Sequence, residues 1–344
     1  MTAASMLALL GGPESGKTTY LGALVDALQS ESLPGLKLGA LPADARAYES
    51  LTEPLLDGRY SQRTKKDERH LLELPLRAVR DGKVEDISLT VGDYAGEEVE
   101  QLFQNRTGGF SPEWRARAEA RGLLLFLRPD ALTPLPRLHP RASLHDSERW
   151  QALQGAPVEG EPARSSRPPE ATPLRPEHVF GPGILDEPAG PLPARPNDRV
   201  RVPTVLAIIE LLQFLRHVRG LAPGERLPPG EMRVALLATA WDAVDRSWHE
   251  RGPRSFLVEQ APLLDDFLWS NFHEDDIACF GLSSTGGDLR DDRYRERYLE
   301  EMRGFVEWAD VTGKVQLSRN IALPIAWLLS GDRALGEGVE GDQS

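Results

Sequence analysis

The residues best suited to chemistry stand close to the amino terminus. Gly11-Gly12-Pro13-Glu14-Ser15-Gly16-Lys17-Thr18 satisfies the pattern G-x-x-x-x-G-K-[ST]. Each residue type in that pattern has a physical task. The glycines let the backbone curl so that successive N–H groups point inward as an anion nest. A helix opening near Gly16 turns its positive end towards the same spot. Lys17 is placed to reach the β- and γ-phosphates of a nucleoside triphosphate, and the Thr18 hydroxyl is a hard oxygen ligand for Mg2+. Gly11 through Thr19 is therefore the candidate phosphate cradle.

Three shorter signals follow in chain order. Asp93-Tyr94-Ala95-Gly96 has the form D-x-x-G and closes an alternating run of Ile87, Leu89 and Val91. An aspartate at the tip of a strand beside the cradle can hold the metal through water, and Gly96 lets a backbone N–H approach a γ-phosphate. Thr239-Ala240-Trp241-Asp242 follows the apolar run Val234 to Ala238 and stands where GTPases carry [NT]-K-x-D. In that motif the aspartate accepts two hydrogen bonds from guanine, and adenine cannot supply both donors. Ala240 departs from it, because no lysine stem is left to lie over the base. Trp241 reads either as a residue beside the base or as a structural aromatic. Ser283-Ser284-Thr285 follows the run Ile277 to Leu282. It matches the loosely defined S-A-K loop, whose backbone N–H contacts the guanine oxygen.

These motifs, in this order, resemble the translation-factor-related (TRAFAC) class of P-loop GTPases. The wording GGPESGKTTYLGAL, DYAGEE, ATAWD and FGLSSTG, with the closing NIALPIAWLL, is most similar to the bacterial double-GTPase family. The resemblance covers about residues 5–129 and 203–329. It implies a Ras-like sheet of five or six strands, GTP or GDP with Mg2+ as the bound species, and a nucleotide-controlled switch acting on partner proteins. Members of the family occur in multi-gene conflict or defence systems. Such a GTPase needs a threonine between the first helix and the second strand to close over the metal. Thr64 is the choice and Thr52 the competitor. Arg59 or Arg63 is placed to reach the phosphates, although plain solvation on a loop explains either arginine as well. Glu97 stands where Ras-like proteins carry the glutamine that orients the attacking water. A carboxylate there adds negative charge beside the γ-phosphate, so the expected intrinsic hydrolysis is slow. The candidate catalytic residues are thus Lys17, Thr64 and Glu97, and the metal ligands Thr18, Thr64 and Asp93. The base-recognition residues are Thr239, Trp241, Asp242, Ser283 and Ser284. A scaffold that binds nucleotide without hydrolysing it, and an ATP-binding P-loop protein, are the alternatives.

The elements that must position these residues read as an α/β fold: three layers, with a mostly parallel sheet and one antiparallel edge hairpin. Met6–Leu10, Leu123–Leu127, Val234–Ala238 and Ile277–Leu282 are continuous apolar runs suited to buried parallel strands. Leu72, Leu74 and Leu76 alternate, Asp81-Gly82 turns the chain, and Ile87, Leu89 and Val91 alternate again, which predicts the hairpin. Pro75 points to an edge position for its first strand. Helical spacing runs over Thr18–Leu28 and from Thr204 to Leu215. Further helices are predicted over 111–121, Ser255–Phe272 and Tyr294–Ala309, and the stretch before Arg69 reads as irregular. Trp114, Trp269, Trp308 and Trp327 fall in helical patterns.

The predicted organisation is 1–129 and 203–330 as two parts of one GTPase domain, a proline-rich and largely disordered insertion at 130–202, and a polar tail at 331–344. The net charge of −13 disfavours nucleic acid as the main partner. Cys279 is the only cysteine, which excludes an internal disulfide and fits a cytoplasmic protein. No apolar run is long enough to span a membrane. The expected partners are other proteins, met through the switch regions or the 130–202 segment, with homo- and hetero-oligomers both open.

Overall fold

The hydrophobic pattern of Met6 to Leu10 sends alternate side chains into two different cores, as a strand covered on both faces requires. Leu7 and Leu9 belong to one buried cluster, Ala8 and Leu10 to the other. The computed structural model describes residues 5–12, 14–30, 36–39, 46–60, 71–80, 83–92, 118–132, 203–222, 224–301 and 304–331.

Among the described residues nine strands form one sheet: β1 (Ser5–Gly11), β2 (Leu36–Leu38), β3 (Leu71–Arg80), β4 (Lys83–Gly92), β5 (Gly122–Leu127), β6 (Arg233–Thr239), β7 (Ile277–Ser283), β8 (Phe305–Ala309) and β9 (Val315–Ser318). Their order is β2-β3-β4-β1-β5-β6-β7-β8-β9. The central block β4-β1-β5-β6-β7 is parallel. Seven α-helices are described: α1 (Lys17–Gln29), α2 (Arg46–Leu56), α3 (Thr204–Val218), α4 (Arg246–Gln260), α5 (Pro262–Asn271), α6 (Asp292–Glu300) and α7 (Leu323–Ser330). One face of the sheet is covered by α1 and α7 through Leu21, Leu24, Ile325 and Leu328. The other is covered by α3 and α5 through Ile208, Leu212, Leu264 and Leu268. Tyr20, fully buried on α1, donates its hydroxyl to the Ile321 carbonyl at 3.2 Å, which fastens the chain leading into α7.

The three-layer α/β reading holds, with three differences in detail. First, the sheet has nine strands and antiparallel pairing at both ends. Residues 305–309, expected as the end of a helix from Tyr294, form β8, antiparallel to β7 and to β9. Helix α6 stops at Glu300, and Phe305, Val306 and Trp308 supply the strand's buried side chains. Trp308 is thus a strand residue.

Second, the chain between α1 and β3 is partly regular. It contains β2 and α2, whose Tyr48 donates to the Glu73 carbonyl at 2.6 Å. Strand β2 takes the outer position beside β3, so Pro75 is not on the outermost strand. Its carbonyl accepts from Gly39 N–H at 2.8 Å, and its missing N–H faces the side where β2 has already ended.

Third, the helix expected over Ser255–Phe272 is two helices, with Pro262 in the first turn of the second. The helix expected over 111–121 lies outside the described residues except for its last four positions. So do the 133–202 stretch and the tail from 332. Among the described residues no helix is long and apolar enough to cross a membrane.

Candidate nucleotide site

Strands β1, β4, β5, β6 and β7 run the same way, so their carboxyl ends lie along one edge of the sheet. The chain leaves β1, reaches β4 on one side, and returns to the other side as β5. Such a reversal of direction opens a crevice at the strand ends, the usual ligand position in parallel sheets. The sequence motifs all follow these strand ends.

The cradle begins at Gly11, the last residue of β1. A side chain there would meet Phe126 Cβ at 2.7 Å and the Phe126 carbonyl at 2.8 Å, so only glycine lets β1 and β5 approach this closely. Glu14 and Gly16 both take left-handed backbone angles, at φ +56° and +88°. A non-glycine residue in that region costs energy and persists where its surroundings hold it. Arg128, one residue past β5, donates from Nη1 to the Glu14 carbonyl at 3.2 Å and is itself gripped by Asp130 at 2.6 and 2.9 Å. The hydrogen bonds that Arg128 donates to Asp130 raise the guanidinium pKa further, so the brace is permanently charged. Gly16 caps α1 without a side-chain partner, which leaves the first-turn N–H groups aimed at the crevice.

Lys17 is only 6% exposed. Its ammonium donates to the Gly11 carbonyl at 3.0 Å, the Gly12 carbonyl at 2.9 Å and Ser15 Oγ at 3.2 Å. These contacts hold the cation at the rim of the nest, where an anionic phosphate gains most from it. Thr18, half-buried in the first turn of α1, offers the hydroxyl that suits Mg2+. Thr19 is likewise half-buried beside it. The cradle thus fits a phosphate group on its own geometry. Among the described residues no group of three or more His, Cys, Asp or Glu is gathered that could hold a metal. A P-loop magnesium asks only for the threonine and the ligands expected from Thr64 and Asp93. Pro13, Arg63, Thr64, Asp93, Gly96 and Glu97 lie outside the described residues.

Thr52, the competing switch threonine, is 8% exposed within α2 and bonds back to the Tyr48 and Glu49 carbonyls, at 3.4 and 3.2 Å. A hydroxyl committed inside a packed helix is not free to close over a metal. Arg59 is turned onto Asp57 in an exposed ion pair.

The base-recognition motifs meet at the next two strand ends. Thr239, the last residue of β6, donates to the Ser15 carbonyl at 2.8 Å and so joins the cradle. Ala240 is left-handed, at φ +48°, and Asp242 sits in the short 3-10 turn that follows. Its carboxylate accepts a hydrogen bond from the hydroxyl of Ser283, which in turn accepts from Gly286 N–H at 2.8 Å. Ser283 is fully buried and Asp242 half-buried, so this pair joins the two loops from within and leaves the carboxylate an open side. Ser284 follows at the mouth of the second loop. The indole of Trp241, by contrast, is 0% exposed and donates to Glu307 at 2.6 Å. Of the two readings of Trp241, the structural aromatic is the one its side chain fits.

Two further residues had no motif to mark them. Tyr60 follows α2 and accepts from Leu289 N–H at 3.1 Å while donating to Asp288 at 3.2 Å. It ties the chain leading to 61–70 onto the stretch just after Ser283–Thr285. Tyr294 donates to the Thr285 carbonyl at 2.6 Å from α6. Burial, then the nearby Asp242 charge, raise its pKa.

A comparison with curated proteins gave no match. Residues 8–328 match the family described as double-GTPase 1. That span takes in the cradle and both loops expected to meet the base, and it makes this chain a member of the double-GTPase family of GTP-binding GTPases.

Proposed function

We propose that this protein is a guanine-nucleotide switch: GTP orders its switch loops, slow hydrolysis releases them, and partner proteins read the difference. The observation that carries this reading is the meeting of the phosphate cradle with Asp242 at one edge of the sheet, joined through Thr239 and Ser15. Gly11 through Thr19 hold the phosphates, with Lys17 as the paired cation. Asp242 and the Ser283–Ser284 loop take the base. Thr18, Thr64 and Asp93 hold Mg2+, which when bound neutralises phosphate charge and orders the triphosphate. Glu97 orients water weakly and opposes developing charge, so intrinsic turnover is slow and a partner raises it. The setting we favour is a bacterial conflict or defence system, and the 130–202 segment is a candidate partner-docking stretch.

The test has two arms. A fluorescent GTP analogue is displaced by unlabelled GTP, GDP and ATP. The reading expects GTP and GDP to compete and ATP to fail, and equal displacement by ATP contradicts it. Phosphate release is then followed for the wild type and Glu97→Gln, with and without partner proteins. Slow release by the isolated wild type and a changed rate in Glu97→Gln are expected. Fast single-turnover release by the isolated protein sinks the slow-switch part.

A further inference from the structure

We infer that Glu307 and Trp241 are positioning residues for guanine recognition: Glu307 holds the indole of Trp241, and the indole holds the turn that aims Asp242. The inference rests on the guanine reading above.

Trp241 stands between Ala240 and Asp242, so its placement sets theirs. With alanine at 240, no long side chain braces this turn from the ligand side. The brace comes from beneath. The indole lies flat against Gly281 of β7, where an added Cβ would fall 2.5 Å from three of its ring atoms. Phe256 of α4 meets it edge-on at 5.6 Å and 86°, and His249 at 5.7 Å and 65°. Packing alone would leave the ring's in-plane rotation loosely set. The Nε1–H to Glu307 Oε2 bond, at 2.6 Å, fixes it.

Glu307 lies on β8 and is 6% exposed. His249 Nδ1 stands 3.0 Å from each of its carboxylate oxygens and so orients the carboxylate. A buried carboxylate is costly without such partners, and one aimed at the residue next to Asp242 has a use beyond filling space. The chain His249–Glu307–Trp241 therefore supports the base loop from the core side, while Ser283 supports Asp242 from the neighbouring loop.

The experiment uses the full chain and two displacing nucleotides, GDP and IDP. The base of IDP lacks the 2-amino group, one of the two donors Asp242 would receive. The GDP-to-IDP affinity ratio thus reports the aim of Asp242, and an inactive fraction of protein cancels from it. Trp241→Phe keeps one aromatic ring and loses the five-membered ring with its N–H, Glu307→Ala loses the acceptor, and Glu307→Gln keeps an acceptor oxygen. Trp241→Phe and Glu307→Ala should each lower the ratio about fivefold to tenfold, as a mis-aimed and weakened, but not lost, charge-assisted bond implies. The double variant should fall no further than the worse single one, because both act through the same bond. Glu307→Gln should stay within about twofold of the wild type. A wild-type ratio near one removes the guanine reading and this inference together. A high wild-type ratio that survives Trp241→Phe overturns this inference alone. Should Glu307→Ala fail to fold by circular dichroism, Trp241→Phe decides.

Discussion

Thr239 donates its hydroxyl to the carbonyl of Ser15 at 2.8 Å, joining the tip of β6 to the phosphate cradle across 224 positions of chain. Both residues are 3% exposed. The peptide bond is planar and trans, so fixing the Ser15 carbonyl outward aims the Gly16 N–H inward, where the proposed phosphate would sit. One hydroxyl therefore shapes the nest from a strand that also leads to the base-recognition turn. Thr239→Val removes the bond and keeps the shape. GDP and IDP affinities should fall together, about fivefold, with their ratio unchanged. Calorimetric titration checks this, and a change confined to one of the two nucleotides would place Thr239 in base selection instead.

Asp242 is held by Ser283 on one side and is half-buried. Asp242→Asn replaces an acceptor by an amide donor. GDP affinity should drop about a hundredfold, because one charge-assisted bond is lost and the other loses its charge. Xanthosine diphosphate, which carries a carbonyl where guanine carries the amino group, should gain. Competition between the two nucleotides for the variant measures the swap.

Helices α1 and α2 touch at Gly22, where an added Cβ would lie 2.3 Å from the Leu51 carbonyl and 2.9 Å from Leu55. Backbone cannot yield as a side-chain tip does. Gly22→Ala should force the helices apart and cost about 1–3 kcal/mol. Thermal unfolding followed by circular dichroism would show a lower midpoint, whereas an unchanged midpoint would mean that α2 is free to shift.

The Tyr294 phenol feels burial first, then the negative charge of Asp242, both raising its pKa, while Arg297 and Arg319 pull it down. Asp242→Asn removes one raising charge. The pKa should therefore move down towards the ordinary tyrosine value, yet stay above it because burial persists. A pH titration of carbon-13-labelled tyrosine reads this directly, and a stationary Tyr294 signal would mean that the two groups are not close.

The motifs were legible as residue patterns: Gly11–Thr19 and Thr239–Asp242 keep a fixed spacing, and each starts at the end of a parallel strand, β1 and β6. The parallel strands were legible from their continuous apolar runs. What escaped was set by neighbours distant in sequence. Phe305–Ala309 carries apolar residues that continue a helical pattern from Tyr294, and only pairing with β7 and β9 makes it a strand. Helix α2 carries Tyr48, Leu51 and Leu55 at helical spacing, but it is short and otherwise polar, has Pro54 inside it, and is held by Tyr48 on β3 and by close contact at Gly22. Arg128 and Tyr60 act through hydrogen bonds to backbone carbonyl and N–H groups, which leave no residue pattern to read. The indole N–H of Trp241 finds its acceptor in Glu307, 66 positions away.

The most direct test of the account is calorimetric titration of Mg·GTP into the wild type and Lys17→Ala. The ammonium of Lys17 is held by Gly11, Gly12 and Ser15 at the mouth of the nest. The account predicts one-to-one binding by the wild type and affinity lower by about a hundredfold in the variant. Equal affinities, or a wild-type protein that takes up no GTP, would contradict it.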